Sequence, residues 1–465
     1  MFKTAEPIED YRATLGAIGL VVVIGALLRF YDLGSDSLWL DEAVSWNEAK
    51  DSLADVVWRS ADEPVPHPPL FNLSLFAAIK LFGDSEWDLR LPSAIFGVAN
   101  ILALYWLGTM TVGRTAGLLG AVLLALSPFD LRYSQEARMY SLLSLTATLY
   151  AATCFRYLRT PSLWCGTWVS LAGLALVYSH PYGALNWIAI VVAITVFFLL
   201  PAARSPPKTM LVWATSNVIV AAGFMPWALI LAGRAQLIAA RGFWTPTLTA
   251  AFVRAEVQAV AGGRLLALVI LIGVVLGVVG RLRRDVGVLC VWIVAPVAIV
   301  IVASILSTPV FISRYAIGSL PPLLLLSAFG WTKYAKDRRG VVLSSAVVAI
   351  AVLGLVLHNP YQNVKDDWRG VASYLDEQEQ AADCVLVVPP WLAIPLNYYR
   401  RTSSCQWAAL KTADLPAEMP ASVLFGIFQV TAADLAAFTE ELGRRGWGER
   451  YQADFRGIRV VAFSR

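Results

Sequence analysis

The sequence predicts a polytopic α-helical membrane protein with about eleven transmembrane helices, outer juxtamembrane helices, and a small C-terminal α/β domain on the outer side. Three observations carry this. The 465 residues are 58% hydrophobic and only 15% charged, with a mean hydropathy of +0.62, far above that of soluble domains. Apolar runs almost free of charge recur from residue 14 to residue 357. From about residue 359 the chain turns more polar, and helical and strand periods alternate. Two domains are expected, 1–358 in the membrane and 359–465 outside it.

The first run, 14–30, follows a mixed-charge N-terminus with no small-residue cleavage site and reads as a retained helix. Further runs fall at 91–112, 115–129, 139–155, 161–179, 181–203, 209–233, 265–280, 286–306, 315–332 and 340–357. Some are short for a bilayer core that needs about 20 helical residues. Basic residues orient them. Arg114 follows the second run, Arg156 and Arg159 the fourth, and Arg204 and Lys208 the sixth. Arg281, Arg283 and Arg284 follow the eighth, and Lys333, Lys336, Arg338 and Arg339 the tenth. These alternate connections are expected to be cytoplasmic. The loops 31–90, 130–138, 180, 234–264 and 307–314, and everything after 358, then face outward. Parity requires the short segment 67–83, "HPPLFNLSLFAAIKLFG", to lie on the outer surface or re-enter it, not to cross. The expected location is the inner (cell) membrane, multi-pass, with catalytic loops and tail in the periplasm.

In the tail, "KDDWRGVASYLDEQEQ" reads as an amphipathic helix, "CVLVVP" and "SVLFGIF" as strands, "TAADLAAFTEELGRRG" as a helix and "GIRVVAF" as a last strand. No Gly-rich phosphate loop points to a nucleotide, the net charge of +4 is small, and no nucleic-acid partner is expected. The five cysteines show no zinc-ligand spacing. Cys384 and Cys405 both fall in the tail, where a disulfide and two buried thiols are equally open.

The outer loops hold more charge than topology requires. The stretch "SLWLDEAVSW" places Asp41 and Glu42 among Trp39, Leu40, Val44 and Trp46. An unpaired carboxylate in such company costs several kcal/mol. The second outer loop packs Asp130, Arg132, Tyr133, Gln135, Glu136, Arg138 and Tyr140 into eleven positions. His67 precedes two prolines; His180 precedes "PYG"; Arg241 stands near Trp244 and Arg314 beside Tyr315; Lys365 and Arg369 follow the last run. Interfacial anchoring accounts for Asp32, Asp36, Asp51, Asp55, Asp62 and Glu63. An Arg–Glu structural pair is the plain alternative for Arg132, Glu136 and Arg138, as a helix-terminal hydrogen-bond role is for His67. His180 reads as structural and His358 as interfacial.

Carboxylates, guanidinium groups and aromatic rings at a membrane surface suit an amphipathic substrate bearing a phosphate. Arginine forks match phosphate oxygens and stabilise the charge of a phosphate leaving group. A carboxylate can take the proton of an attacking hydroxyl.

The adjacent Asp41-Glu42, the following "HPPL" and the second-loop "SQEARMY" resemble the GT-C membrane glycosyltransferases, in their protein O-mannosyltransferase and lipid A aminoarabinose transferase branch (bacterial glycosyltransferase family 39 type). The resemblance covers roughly residues 14–205. Arg314-Tyr315 and "DDWRGVASYL" are similar to bacterial members with a periplasmic tail. The resemblance implies sugar transfer, with inversion, from a polyprenyl (undecaprenyl or decaprenyl) monophosphate donor to an acceptor hydroxyl of a glycan, lipid or protein. It implies that Asp41 is the catalytic base and that Glu42 orients the base or acceptor, or helps hold a metal. It places His67 near the active site and Glu136 and Arg138 in the cavity that meets the lipid phosphate. Arg132, Tyr133, Tyr140, Arg314, Tyr315, Lys365 and Arg369 complete the expected substrate-binding set. Branches differ in divalent-metal use, and the second loop has no Asp-x-Asp, so no cofactor is assigned and a metal stays open. Sugar and acceptor are also open. The competing class is a lipid or sugar transporter or flippase without chemistry, but no internal repeat is evident and the unusual charges gather on one face, not at midplane. A membrane scaffold would not need Asp41-Glu42 in an apolar setting.

Overall fold

The computed structural model describes residues 8–62, 66–199, 206–241, 245–279, 283–333, 338–361, 365–378, 383–400, 405–419, 421–429 and 434–465. Glu63, Arg204, Trp244, Arg281 and Lys336 lie outside the described residues, as do the side chains of Arg241, Arg338 and Arg339. The chain divides into two compact units. One comprises residues 1–31, 52–78 and 90–361; the other comprises 32–51, 79–89 and 362–465.

Helix is found in each of the eleven apolar runs among the described residues. Six of them are long and apolar enough to cross a membrane, or up to eight spans when two bent helix pairs each count once, among the described residues. The bent pairs are Arg114–Ala125 with Pro128–Ser134, at 60°, and Ala250–Ala261 with Arg264–Val278, at 80°. Tyr140–Arg159 is buried along almost its whole length. Its hydroxyl-bearing residues therefore meet protein, not lipid, which is where polar residues of membrane helices belong. Asn100 donates to Ser144 at 2.8 Å, Tyr150 to Asn217 at 2.7 Å and Trp292 to Asn186 at 2.9 Å. Such bonds tie helices together where hydrophobicity gives no net drive. Small residues do the rest. A Cβ at Gly330 would stand 1.8 Å from the Gly273 carbonyl oxygen, so the helices Leu320–Lys333 and Arg264–Val278 pack backbone to backbone. The helix in the 67–83 segment, Leu70–Phe82, has 13 residues. At 1.5 Å per residue that is about 20 Å, short of a ~30 Å hydrocarbon core.

The second unit is built on a five-stranded sheet of β1 (Cys384–Val388), β2 (Gln406–Ala408), β3 (Val423–Gln429), β4 (Gly448–Phe455) and β5 (Ile458–Ser464). Its order is β2-β1-β3-β5-β4. β1 runs parallel to β2 and β3; β5 runs antiparallel to β3 and β4. Alternate residues feed two cores. Leu386, Val388, Leu424 and Phe428 pack with Phe438 and Leu442 of the helix Asp434–Arg444. Val385, Val387, Phe425 and Val460 pack with Trp368, Val371 and Leu375 of Trp368–Gln378, and with Leu396. Covering both faces is why β1 is buried at every position. Cys384 and Cys405 form a disulfide, with Cα atoms 4.7 Å apart and a sequence separation of 21. Closing a loop of that length contributes about 3 kcal/mol. Replacing both cysteines by serine is expected to lower the unfolding free energy of this unit by that amount in chemical denaturation. No change would mean that the bond does not form.

Candidate active site

The second unit carries the paired carboxylates. Asp41 and Glu42 begin the helix Leu40–Ala49, where the helix dipole favours negative charge. Glu42 is fully buried, and Lys365 donates to its Oε2 at 3.0 Å. Asp41 is partly exposed on the same first turn. The segment is tied down on both sides. Ser37 Oγ donates to the Asp366 carbonyl at 2.5 Å, and the Leu38 N–H donates to the Tyr399 hydroxyl at 2.8 Å. Trp46 Nε1 donates to Asp84 at 3.2 Å, and Arg456 pairs with Asp36 at 2.8 Å. Arg369 donates to Glu86 at 2.7 Å and to the carbonyls of Ser35 and Gly34. Lys365 and Arg369, expected against substrate, thus have protein partners that fix the 34–42 segment and its neighbours. No group of three or more His, Cys, Asp or Glu side chains able to hold a metal ion forms among the described residues. Glu42, the residue the resemblance would offer such an ion, is engaged by Lys365.

The first unit carries the arginines. The "SPFDLRYSQEARMYS" loop is a short helix, Pro128–Ser134, capped by the Ser127 side chain. A buried ion pair holds it, with Arg29 Nη2 2.6 Å from Asp130. Arg29 also donates to the carbonyls of Leu124 and Ala125, which supplies the extra hydrogen bonds a buried pair needs. Gln135 Nε2 donates to the carbonyls of Arg29 and Tyr31 at 3.1 and 2.7 Å. Beyond this anchor, Arg132 is exposed and stands 3.7 Å from the buried Glu136. The Arg138 N–H turns back to the Glu136 carbonyl at 2.7 Å, Ser93 donates to the Arg138 carbonyl at 3.1 Å, and Arg138 is only 8% exposed.

Around these residues lies an aromatic cage. Ring centroids are 5.0 Å apart for Tyr133 and Tyr140, 6.3 Å for Tyr140 and Tyr315, and 5.2 Å for Tyr182 and Tyr315. The Arg314 guanidinium stands 5.6 Å from the rings of both Tyr140 and Tyr315, within cation–π range. His180 lies 5.3 Å from Tyr315 and 6.2 Å from His67. Every residue expected from the second loop, with His67, Arg314 and Tyr315, belongs to this unit, whereas Asp41, Glu42, Lys365 and Arg369 belong to the other.

Spacing alone singles out neither Glu256 nor the full role of His180. Glu256 accepts from the Ser313 N–H at 2.7 Å and so fixes the turn that presents Arg314. It is the only acid between 235 and 284, a signal that was available. His180 was read as structural. Its Nδ1 does cap the helix Pro181–Ile194, but it also joins the cage.

Burial, and then the nearby Arg138 and Arg314 charges, push the His180 pKa down from 6.5 to about 3. Burial, then Arg138, His180 and Arg314, hold His67 well below its usual value. Both rings are neutral at pH 7. Because each titrates lower in the folded chain, their contribution to stability is complete above about pH 6.5 and is lost as pH falls below it. The slope is about 1.4 kcal/mol per pH unit for each group. The melting temperature of wild type is therefore expected to fall more steeply than that of His180→Asn between pH 6.5 and 4.5. Parallel slopes would contradict the neutral, buried His180.

The chain is a polytopic helical membrane protein whose fold resembles that of solved membrane glycosyltransferases. Residues 66–230 match the family model described as Dolichyl-phosphate-mannose-protein mannosyltransferase. Among named relatives, YkcB of Bacillus subtilis (strain 168), provisionally named a mannosyltransferase, is 23% identical over 223 residues, 46% of this chain and 30% of that protein. The chain spans less than a third of the length of that relative. The crystal structure of ArnT from Cupriavidus metallidurans bound to undecaprenyl phosphate superposes with a TM-score of 0.63 at 14% identity, covering 96% of this chain and 98% of that one. The oligosaccharyltransferase AglB from Archaeoglobus fulgidus, in complex with an inhibitory peptide and a dolichol-phosphate, gives a TM-score of 0.59 at 12% identity over 98% of this chain and 74% of that one. These structural likenesses show a shared fold.

Proposed function

We propose that the chain transfers a sugar from a polyprenyl monophosphate to an acceptor hydroxyl at the outer face of the cell membrane, with inversion and with Asp41 as the base. The observation that carries the reading is two arginines beside neutral histidine rings: Arg314, which stands over Tyr140 and Tyr315, and the buried Arg138, whose charges both act on His67 and His180. Cations in such a setting suit an anionic group carried on an apolar chain, and forks suit the two free oxygens of a phosphodiester. Asp41 begins a helix whose neighbouring acid is already neutralised by Lys365, so the two carboxylates take different roles. Glu42 with Lys365, and Arg369 with Glu86, position the segment; Asp41 accepts the proton of the attacking hydroxyl as the anomeric carbon leaves the phosphate. The phosphate departs as polyprenyl monophosphate, its charge met by the arginines. Support for the donor class comes from the lipid phosphates held by the ArnT and AglB structures. Support for the outer face comes from the alternating basic connections and from the Cys384–Cys405 disulfide, a bond that persists in oxidising compartments.

The test is the composition of the envelope with and without the gene. The expected result is loss of one glycosylated lipid, glycan or protein, together with accumulation of a polyprenyl-phosphate sugar. An unchanged set of glycoconjugates with an altered sidedness of a lipid would favour transport over transfer.

A further inference from the structure

The His180-Pro181-Tyr182-Gly183 turn does two things at once. His180 Nδ1 accepts the Tyr182 N–H at 3.0 Å and caps the following helix. Gly183 permits the tight return, since a Cβ there would stand 2.0 Å from the Leu176 carbonyl oxygen. With the Nδ1 lone pair committed, the single proton of the neutral ring resides on Nε2, which becomes a donor. The ring is only 2% exposed, and Nε2 has no hydrogen-bond partner among the described residues. Buried N–H groups in folded proteins almost always have one. Capping alone does not explain an imidazole, because asparagine or serine serves a helix N-terminus as well. The surroundings narrow what the orphan donor meets. Tyr182, Tyr315 and Tyr140 lie 5.4, 5.3 and 6.0 Å from the ring. The Arg314 guanidinium stands over two of these three rings. A cage with a neutral N–H donor and a guanidinium calls for an acceptor that carries negative charge.

We propose that His180 is a donor-binding residue whose Nε2–H donates a hydrogen bond to a phosphate oxygen of the lipid-linked sugar donor, within the cage of Tyr140, Tyr182, Tyr315 and Arg314. This rests on the reading of the chain as a polyprenyl-monophosphate-dependent transferase. The bond complements the guanidinium forks: a neutral donor fixes one phosphate oxygen without adding charge that would hold the product.

The test uses the full chain in lipid nanodiscs, labelled with ¹⁵N-histidine. Only three histidines are present, and His180→Asn assigns the signal of interest. Decaprenyl phosphate is the probe, and its binding is measured on the same samples by radiolabel retention. Decaprenyl phosphate is expected to move the His180 Nε2–H proton downfield by about 1 ppm or more and to slow its exchange. His180→Asn keeps the Nδ1-like acceptor for Tyr182 but has no group at Nε2. It is expected to keep a near-normal melting temperature and to bind decaprenyl phosphate about tenfold or more weakly, the effect of losing one hydrogen bond to a charged group. His180→Gln, which can return an N–H near the Nε2 position, is expected to recover part of that affinity. An unmoved His180 resonance under saturating, demonstrably bound decaprenyl phosphate would overturn the assignment, as would wild-type affinity in His180→Asn. If affinity falls only in step with melting temperature in both variants, His180 is a cap and nothing more. A response to millimolar inorganic phosphate but none to decaprenyl phosphate would overturn the lipid assignment. Absence of any decaprenyl phosphate binding by wild type would instead sink the transferase reading itself, and the inference with it.

Discussion

Asp41→Asn is expected to lower sugar transfer by about 10²- to 10⁴-fold, the usual contribution of a positioned base. The chain should still fold, insert and bind donor. Asparagine keeps the shape of the side chain and can still sit on the first turn of Leu40–Ala49, but it cannot accept the proton. The loss of a dipole-favoured charge there costs at most about 1 kcal/mol, so the melting temperature should hardly move. Glu42→Gln should behave differently. Glu42 is fully buried against Lys365, and removing its charge breaks a buried ion pair. A stability loss is therefore expected with it. The measurement is initial rate, donor affinity and melting temperature on the same preparations. Half the wild-type rate in Asp41→Asn would remove Asp41 from the base role.

Arg138→Lys is expected to weaken polyprenyl phosphate binding by roughly 10- to 100-fold although the charge is kept. An ammonium cannot reproduce the guanidinium fork, and a shorter reach from this buried position leaves the phosphate oxygens unmet. If Arg138 serves only as a structural counter-charge for Glu136, lysine should largely replace it and Arg138→Met should mainly lower the melting temperature. Near-normal donor affinity and turnover in Arg138→Lys would leave Arg314 as the remaining cationic candidate in the cage.

Much of the fold was legible because its signals are local. Each of the eleven apolar runs is helical over most of its described residues, since an apolar stretch has no other way to satisfy its backbone in lipid. In the tail, "CVLVVP", "SVLFGIF" and "GIRVVAF" became β1, β3 and β5. The strands that escaped notice lack that signal. β4, "GERYQADF", is an edge strand exposed over most of its length, so it shows no apolar alternation. β2 has only three residues. The helix Ala393–Tyr399 hides behind two prolines. Least legible of all was the recruitment of 32–51 and 79–89 into the same compact unit as the tail. It depends on bonds across 283 to 329 residues, such as Arg369 to Glu86 and Ser37 to Asp366, and no local pattern encodes them.

The candidate site follows the same rule. Residue types and spacing singled out Asp41, Glu42, Glu136, Arg138, Arg314 and Tyr315, because charges beside apolar runs are costly and stand out. What spacing could not supply was the partner of each. That Lys365 engages Glu42, that Arg369 engages Glu86, and that Glu256 fixes the turn before Arg314 are facts of three-dimensional pairing. His180 was visible as a helix cap, but its second nitrogen becomes informative only once the cage is built around it.

Mass spectrometry of the lipid product tests transfer from a polyprenyl monophosphate donor most directly. The purified chain in nanodiscs is incubated with decaprenyl-phosphate sugars and an envelope fraction as acceptor, with Asp41→Asn as control. Wild type is expected to convert one such donor to free decaprenyl monophosphate in step with sugar appearing on the acceptor, and Asp41→Asn to bind the same donor but leave it intact. Wild-type chain that binds the donors yet returns every one of them unchanged, or an Asp41→Asn chain that converts them at the wild-type rate, would contradict this expectation.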